Sequence, residues 1–226
     1  MSEEFGVSNG VRQGGILSPH LFKIYLDDLS SELNKKKLGC NINGVSLNHL
    51  LYADDMVVLA PSPLALQRLI DECSNYASKH DIYYHERKSG YMCMKPNKMK
   101  DIAVPNVYLY GKPIRYSHKE KYLGVIMNDN GYDDDDILRQ LKGVFARGNI
   151  LIRKFALCST DVKSRLFNSY CSGLYCAALW GSYRKNTLQK LKVAYNMVFR
   201  KMLFLHGSQS VSKCMLNHAV RPFPVM

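Results

Sequence analysis

Hydrophobic and polar positions fall into distinct textures along the chain. From Pro19, the residues Leu21, Phe22, Ile24, Tyr25, Leu26, Leu29 and Leu33 recur at helical spacing until Lys35-Lys36-Lys37 and Gly39 close the last turn. An amphipathic helix is predicted there, with Ser18 as its N-cap and Pro19 at its first position. Ser62-Pro63 repeats that start and opens a second helix through Leu66, Leu69, Ile70, Cys73 and Ala77. Between the two, His49 to Ala60 is a run of strand formers broken only at Ala53-Asp54-Asp55, which reads as two short strands joined by a tight turn. Further short strands are predicted at Glu4 to Ser8, ahead of an Asn9-Gly10 turn, and at Tyr91 to Met94, Val107 to Tyr110 and Tyr122 to Met127. After Gly131 helical periodicity dominates as far as His206. It begins at the acidic run Asp133 to Asp136, whose carboxylates suit the positive end of a helix dipole. This order predicts an α+β part, residues 1–130, as an antiparallel sheet with helices on one face, followed by an α-helical part, residues 131–226.

Charge sharpens that division. Up to Asp136 there are 16 Lys plus Arg against 18 Asp plus Glu, whereas from Ile137 onward there are 15 against one, Asp161. The second block therefore carries +14, a one-signed charge that favours a polyanion such as nucleic acid over a mixed, solubilising surface. With 226 residues, 46% of them hydrophobic, the chain can bury a real core, and no run of about twenty apolar residues offers a membrane span. The first residues lack the pattern of a signal peptide, so an intracellular protein, nuclear or cytoplasmic, is expected. Seven scattered cysteines without a Cys-x-x-Cys pair argue for reduced thiols. Cys214 and His218 are half of a metal site at most, and a core Cys beside a surface His is the plainer reading.

The two adjacent aspartates, Asp54 and Asp55, are the most informative residues, because stability does not ask for carboxylates inside an apolar hairpin. A tight turn presents both at one tip, and hard divalent cations take one or two such carboxylates together with substrate phosphates. An Asp-rich surface turn is the alternative.

The hairpin has company. Val11-Arg12-Gln13-Gly14-Gly15-Ile16-Leu17-Ser18-Pro19-His20-Leu21-Phe22, followed by Tyr52-Ala53-Asp54-Asp55, Lys88-Ser89 and Tyr122-Leu123-Gly124, resembles in order and spacing motifs B, C, D and E of the reverse transcriptases of non-LTR (LINE-like) retrotransposons. The resemblance implies a partial right-hand polymerase palm over residues 1–130 and a basic, thumb-like connecting region over residues 131–226. It also implies roles. Asp54 and Asp55 would be catalytic metal ligands for magnesium, with manganese as the alternative ion. Arg12, Gln13 and Gly14 would contact the template and the nucleotide. Lys88 would assist pyrophosphate departure, and Tyr122, Leu123 and Gly124 would form a hairpin that grips the primer backbone. The implied partners are an RNA template, a DNA primer and deoxynucleoside triphosphates, with no membrane. Asp81 to Ser89 departs from the family's motif D pattern, lacking its glycine, asparagine and threonine.

The family's motif A aspartate, which joins the hairpin pair at the metals, belongs ahead of Val11, and only ten residues stand there. The expectation is therefore a fragment of an RNA-directed DNA polymerase, inactive as the isolated chain and left with an open sheet edge. The alternatives are a non-catalytic nucleic-acid-binding remnant and a translated relic without a role.

Overall fold

The computed structural model describes residues 10, 12, 14–94 and 103–223, and its elements fall into two compact units. The predicted strand at Glu4 to Ser8 lies outside the described residues.

The first unit runs from α1 (Ser18–Lys35) through β1 (Cys40–Ile42), β2 (Val45–Leu47), β3 (His49–Tyr52), β4 (Asp55–Val58), α2 (Pro63–Lys79), β5 (Gly90–Tyr91), β6 (Tyr108–Leu109) and β7 (Lys112–Pro113) to β8 (Arg115–Tyr116). Helical periodicity becomes packing: Leu26, Leu29 and Leu33 of α1 meet Leu69, Cys73 and Tyr76 of α2, and the hairpin β3–β4 adds Leu51, Met56 and Val58. The Tyr76 hydroxyl donates to the Tyr25 carbonyl at 2.6 Å, tying the helices. Ser62 caps α2 as predicted, accepting from the Ala65 N–H at 3.2 Å. Ser18 does not cap α1: it is the first helical residue, and its hydroxyl donates to the Arg12 carbonyl instead, at 2.6 Å. Tyr91, Val107, Leu109 and Ile114 form a second, smaller core.

The fold is α+β, but among the described residues the strands pair only two by two. Four pairs are antiparallel, and β5–β8 is parallel. The continuous antiparallel sheet foreseen from the strand order is thus replaced by ribbons, several of only two residues, too short to extend one another.

The second unit comprises β9 (Lys119–Tyr122), β10 (Val125–Asn128), α3 (Asp134–Lys154), α4 (Thr160–Tyr170), a 3-10 turn at Ala177–Leu179, α5 (Lys185–Met202) and α6 (Val211–Asn217). The strand predicted at Tyr122 to Met127 is a hairpin, because Leu123 (φ +46°) and Gly124 (φ +83°) turn the chain back on itself. By packing, this hairpin goes with the helices, so the division in space falls after Ser117, ahead of the composition change near residue 131. Ile137, Val144 and Leu151 of α3 and Leu191, Tyr195, Val198, Phe199 and Met202 of α5 share one core with Phe167 and Met215. The helices cross closely at Gly148, where a β-carbon would stand 2.3 Å from Val198 Cγ1.

The acidic run does more than face a dipole. Asp133 accepts from the Gly181 and Ser182 N–H groups, both at 2.9 Å. Asp136 is fully buried. It accepts from the Arg139 guanidinium (2.7 Å), the Ile126 N–H of β10 (3.0 Å) and the indole N–H of Trp180 (2.9 Å). Burial alone would raise its pKa, yet these three donors together hold it below the usual carboxylate range.

Candidate functional site

Among the described residues, four hairpins close through two-residue turns, and comparing them isolates the acidic one. Asn43-Gly44, Tyr110-Gly111 and Leu123-Gly124 have positive φ at both positions, the arrangement that matches strand twist and favours glycine second. Between Tyr52 and Asp55 the turn is Ala53-Asp54, with Ala53 at φ +53°. A left-handed alanine costs about 1 kcal/mol or more, and where the other turns carry glycine this one carries a carboxylate. Asp54 and Asp55 are both exposed, while Leu51, Met56 and Val58 hold the hairpin to the core. The turn is therefore built to present acid at its tip rather than to maximise its own stability.

Its base is pinned by a polar relay. Asn48, 2% exposed, donates at 2.6 Å to the Leu33 carbonyl at the end of α1, which also accepts from the Lys36 N–H at 3.1 Å. The Asn48 amide oxygen meets His49 Nδ1 at 2.6 Å, and His49 Nε2 meets the Ser30 hydroxyl at 2.7 Å. Burial lowers the His49 pKa, which keeps the ring neutral, with Nδ1–H donating to Asn48.

The donor set suits a hard cation in part. Two carboxylates on adjacent residues, exposed at a tip, can each give an oxygen, and the remaining positions fall to substrate phosphates and water. Among the described residues no third His, Cys, Asp or Glu joins them in a metal-sized group, and no hydrogen bond or ion pair links Arg12 or Lys88 to either aspartate. Lys88 sits on an exposed turn in which its N–H and that of Ser89 both donate to the His85 carbonyl at 3.0 Å.

Arg12 and Gly14 form a turn leading into α1. Gly14 has φ +78°, Gly15 N–H donates to the Arg12 carbonyl at 3.1 Å, and a β-carbon on Gly15 would meet Ser18 Oγ at 2.6 Å. Gln13 lies outside the described residues. Tyr122, Leu123 and Gly124 belong to the second unit. There the Tyr175 hydroxyl donates to the Leu123 carbonyl at 3.1 Å, and the Tyr175 ring lies 3.1 Å from where a Gly124 β-carbon would stand. Neither Tyr175 nor the Asp136–Trp180 pairing carried a signal in the sequence, since each spans more than forty residues.

The basic block is less uniform than its count. Lys142, Arg153, Lys154, Arg165, Lys190 and Lys192 are among the exposed cations. Lys163 is buried, with its ammonium 4.8 Å from the centre of the Phe204 ring. Arg139 is committed to Asp136, and Arg200 donates to the His206 and Gln209 carbonyls. His218 pairs with Asp161 at 3.5 Å rather than with Cys214. All seven cysteines are free thiols, and burial pushes Cys73 up to about 12 and Cys171 up to about 11. No described helix is long and apolar enough to cross a membrane.

The family profile described as "Reverse transcriptase (RNA-dependent DNA polymerase)" matches residues 2–127. The chain belongs to the reverse transcriptase family. Among curated proteins, this reverse transcriptase region is 26% identical over 211 residues to the RNA-directed DNA polymerase from mobile element jockey of Drosophila funebris, covering 87% of the chain and 22% of that protein. It is 30% identical over 147 residues to the retrovirus-related Pol polyprotein from type-1 retrotransposable element R2 of Bradysia coprophila (59% and 17%). To the R2 polyprotein of Popillia japonica it is 28% identical over 183 residues (71% and 28%). These relatives bear out the resemblance to non-LTR elements, and the chain spans at most 28% of their length. The match of residues 2–127 takes in the acidic hairpin, the Arg12–Gly14 turn, Lys88 and the β9–β10 turn.

Proposed function

We propose that the chain is a working part of an RNA-directed DNA polymerase: the palm segment carrying motifs B to E over residues 1–130, and a basic thumb-like segment over residues 131–226. The observation that carries this reading is the presentation of Asp54 and Asp55 on a strained, glycine-free turn, anchored through Asn48 and His49 to the end of α1. In the complete polymerase these two carboxylates would hold magnesium. When bound, the ions would supply Lewis-acid stabilisation to the attacking primer hydroxyl and the departing pyrophosphate of a deoxynucleoside triphosphate. The Arg12–Gly14 turn brings backbone close to the template and the new base pair, since Gly14 adopts a conformation that side chains resist. Lys88 offers a cation, or a proton, to pyrophosphate. Tyr122 to Gly124, held by Tyr175, offer a fixed backbone turn to the primer strand.

Because the described carboxylates at the tip number two, on adjacent residues, we propose that the 226-residue chain alone extends no primer on an RNA template. Placed in the frame of a related intact polymerase, in exchange for the corresponding segment, it is expected to support extension. Product from the isolated chain that vanishes in Asp54→Ala would overturn the first statement, and an inactive but folded exchange protein the second. A non-catalytic nucleic-acid-binding role is the second reading, favoured by the one-signed charge of the helical part. It predicts binding without extension in either setting.

A further inference from the structure

On the first unit, Tyr83 is 69% exposed, and its ring lies parallel to that of Tyr110, with centroids 5.5 Å apart and planes 8° off parallel. A large aromatic at that exposure normally points into solvent alone. This one is fixed. Tyr110 stands first in the β6–β7 turn at φ +51°, and its hydroxyl accepts from the Tyr84 N–H at 3.2 Å. The Tyr83 hydroxyl donates to Glu86 Oε1 at 3.2 Å, and Lys112 of β7 reaches both Glu86 oxygens at 3.0 Å. The neighbouring Tyr84 turns inward, its hydroxyl toward Met56 of β4, which anchors the stack on the same unit as the acidic hairpin.

Charge around the stack is cationic. Glu86 is neutralised by Lys112, and Arg87, the next residue, stands exposed beside Lys88 on the adjoining turn. A rigid, exposed aromatic face next to uncommitted cations is the arrangement on which unpaired bases stack while their phosphates are held.

We infer that the Tyr83–Tyr110 stack is a platform for an unpaired base of the RNA template, with Arg87 meeting the adjacent phosphate. This rests on the polymerase reading for the choice of strand, since in copying an RNA the primer is paired with its template and the template not yet copied is single-stranded.

The test uses the full chain and a twelve-nucleotide single-stranded RNA carrying 5-iodouridine. Irradiation followed by peptide mass mapping is expected to place a crosslink on Tyr83. In fluorescence anisotropy at raised salt, Tyr83→Ala is expected to weaken binding about tenfold, the loss of one stacking contact, and Tyr83→Phe to bind as wild type. Arg87→Gln should lower the slope of log affinity against log salt by about 0.7. Unaltered affinity in Tyr83→Ala with no crosslink at Tyr83 would overturn the proposal, as would a Tyr83-dependent preference for DNA or duplex. Failure of the platform would leave RNA binding independent of Tyr83, whereas failure of the polymerase reading would leave Tyr83-dependent RNA binding without extension in the frame of a related polymerase, so the two failures are separately visible.

Discussion

Replacing Asp136 by alanine should destabilise the second unit far more than any other change in the acidic run. The carboxylate is fully buried, and its loss strands the Ile126 N–H and the Trp180 indole N–H without an acceptor, at about 1–3 kcal/mol each. It also leaves the Arg139 guanidinium without its partner, and breaking a buried pair from one side costs about 3–5 kcal/mol. These are overlapping accounts of one event, so the expected total is about 3–5 kcal/mol, a large share of a domain's usual stability. Asp135→Ala, in the same turn and of the same charge, should cost under about 1 kcal/mol, a dipole effect only. Trp180 is the only tryptophan, so its fluorescence in a urea titration reports on the site itself. The pH dependence carries a sign. A folded pKa below the unfolded value means the contribution is complete above about pH 4 and fades as pH falls through the folded value. The gap between wild type and Asp136→Asn should narrow accordingly in acid. Costs for Asp136→Ala and Asp135→Ala within about 0.5 kcal/mol of each other would rule out a buried, three-donor role for Asp136, since differences that small are ordinary for surface changes.

Gly148→Ala forces a methyl against Val198 and should cost about 1–3 kcal/mol by thermal denaturation, with Val198→Ala on the same background recovering part of it; a neutral Gly148→Ala would mean α3 and α5 can separate freely. His49, its pKa lowered by burial, should titrate below about 6.5 by NMR, and its contribution to the first unit should be complete above that pH and lost on acidification; a midpoint at or above that value contradicts the relay. If about five phosphates are met by the basic helices, log affinity for duplex against log salt should have a slope near −4. A flat titration would remove the nucleic-acid role of that surface.

Much of the site was legible from local pattern. Asp54 and Asp55 stand out because the strand formers around them, from Leu50 to Leu59, dictate a hairpin whose only polar break is the turn. Both long helices of the first unit follow from apolar spacing, and Ser62 caps as its type predicts. What pattern missed depends on distant partners. Ser18 has the chemistry of a cap, yet it stands inside the helix, one residue past the Leu17 cap position, and its hydroxyl donates to the Arg12 carbonyl six residues back. Leu123-Gly124 falls inside a run of strand formers, so its turn follows from the family resemblance and not from periodicity, although a residue followed by glycine closes two other hairpins in this chain. The acidic run was read by position on a helix, and that is right for its start; but successive helical residues point in different directions, which is what sends Asp136 into the core toward Trp180.

If Asp54 and Asp55 are presented for metal-dependent nucleotide addition, single-turnover primer extension on an RNA template with magnesium, using this region in the frame of a related intact polymerase with and without Asp54→Asn, should slow by orders of magnitude in the variant, with template affinity unchanged. Extension at the wild-type rate by Asp54→Asn would contradict that role.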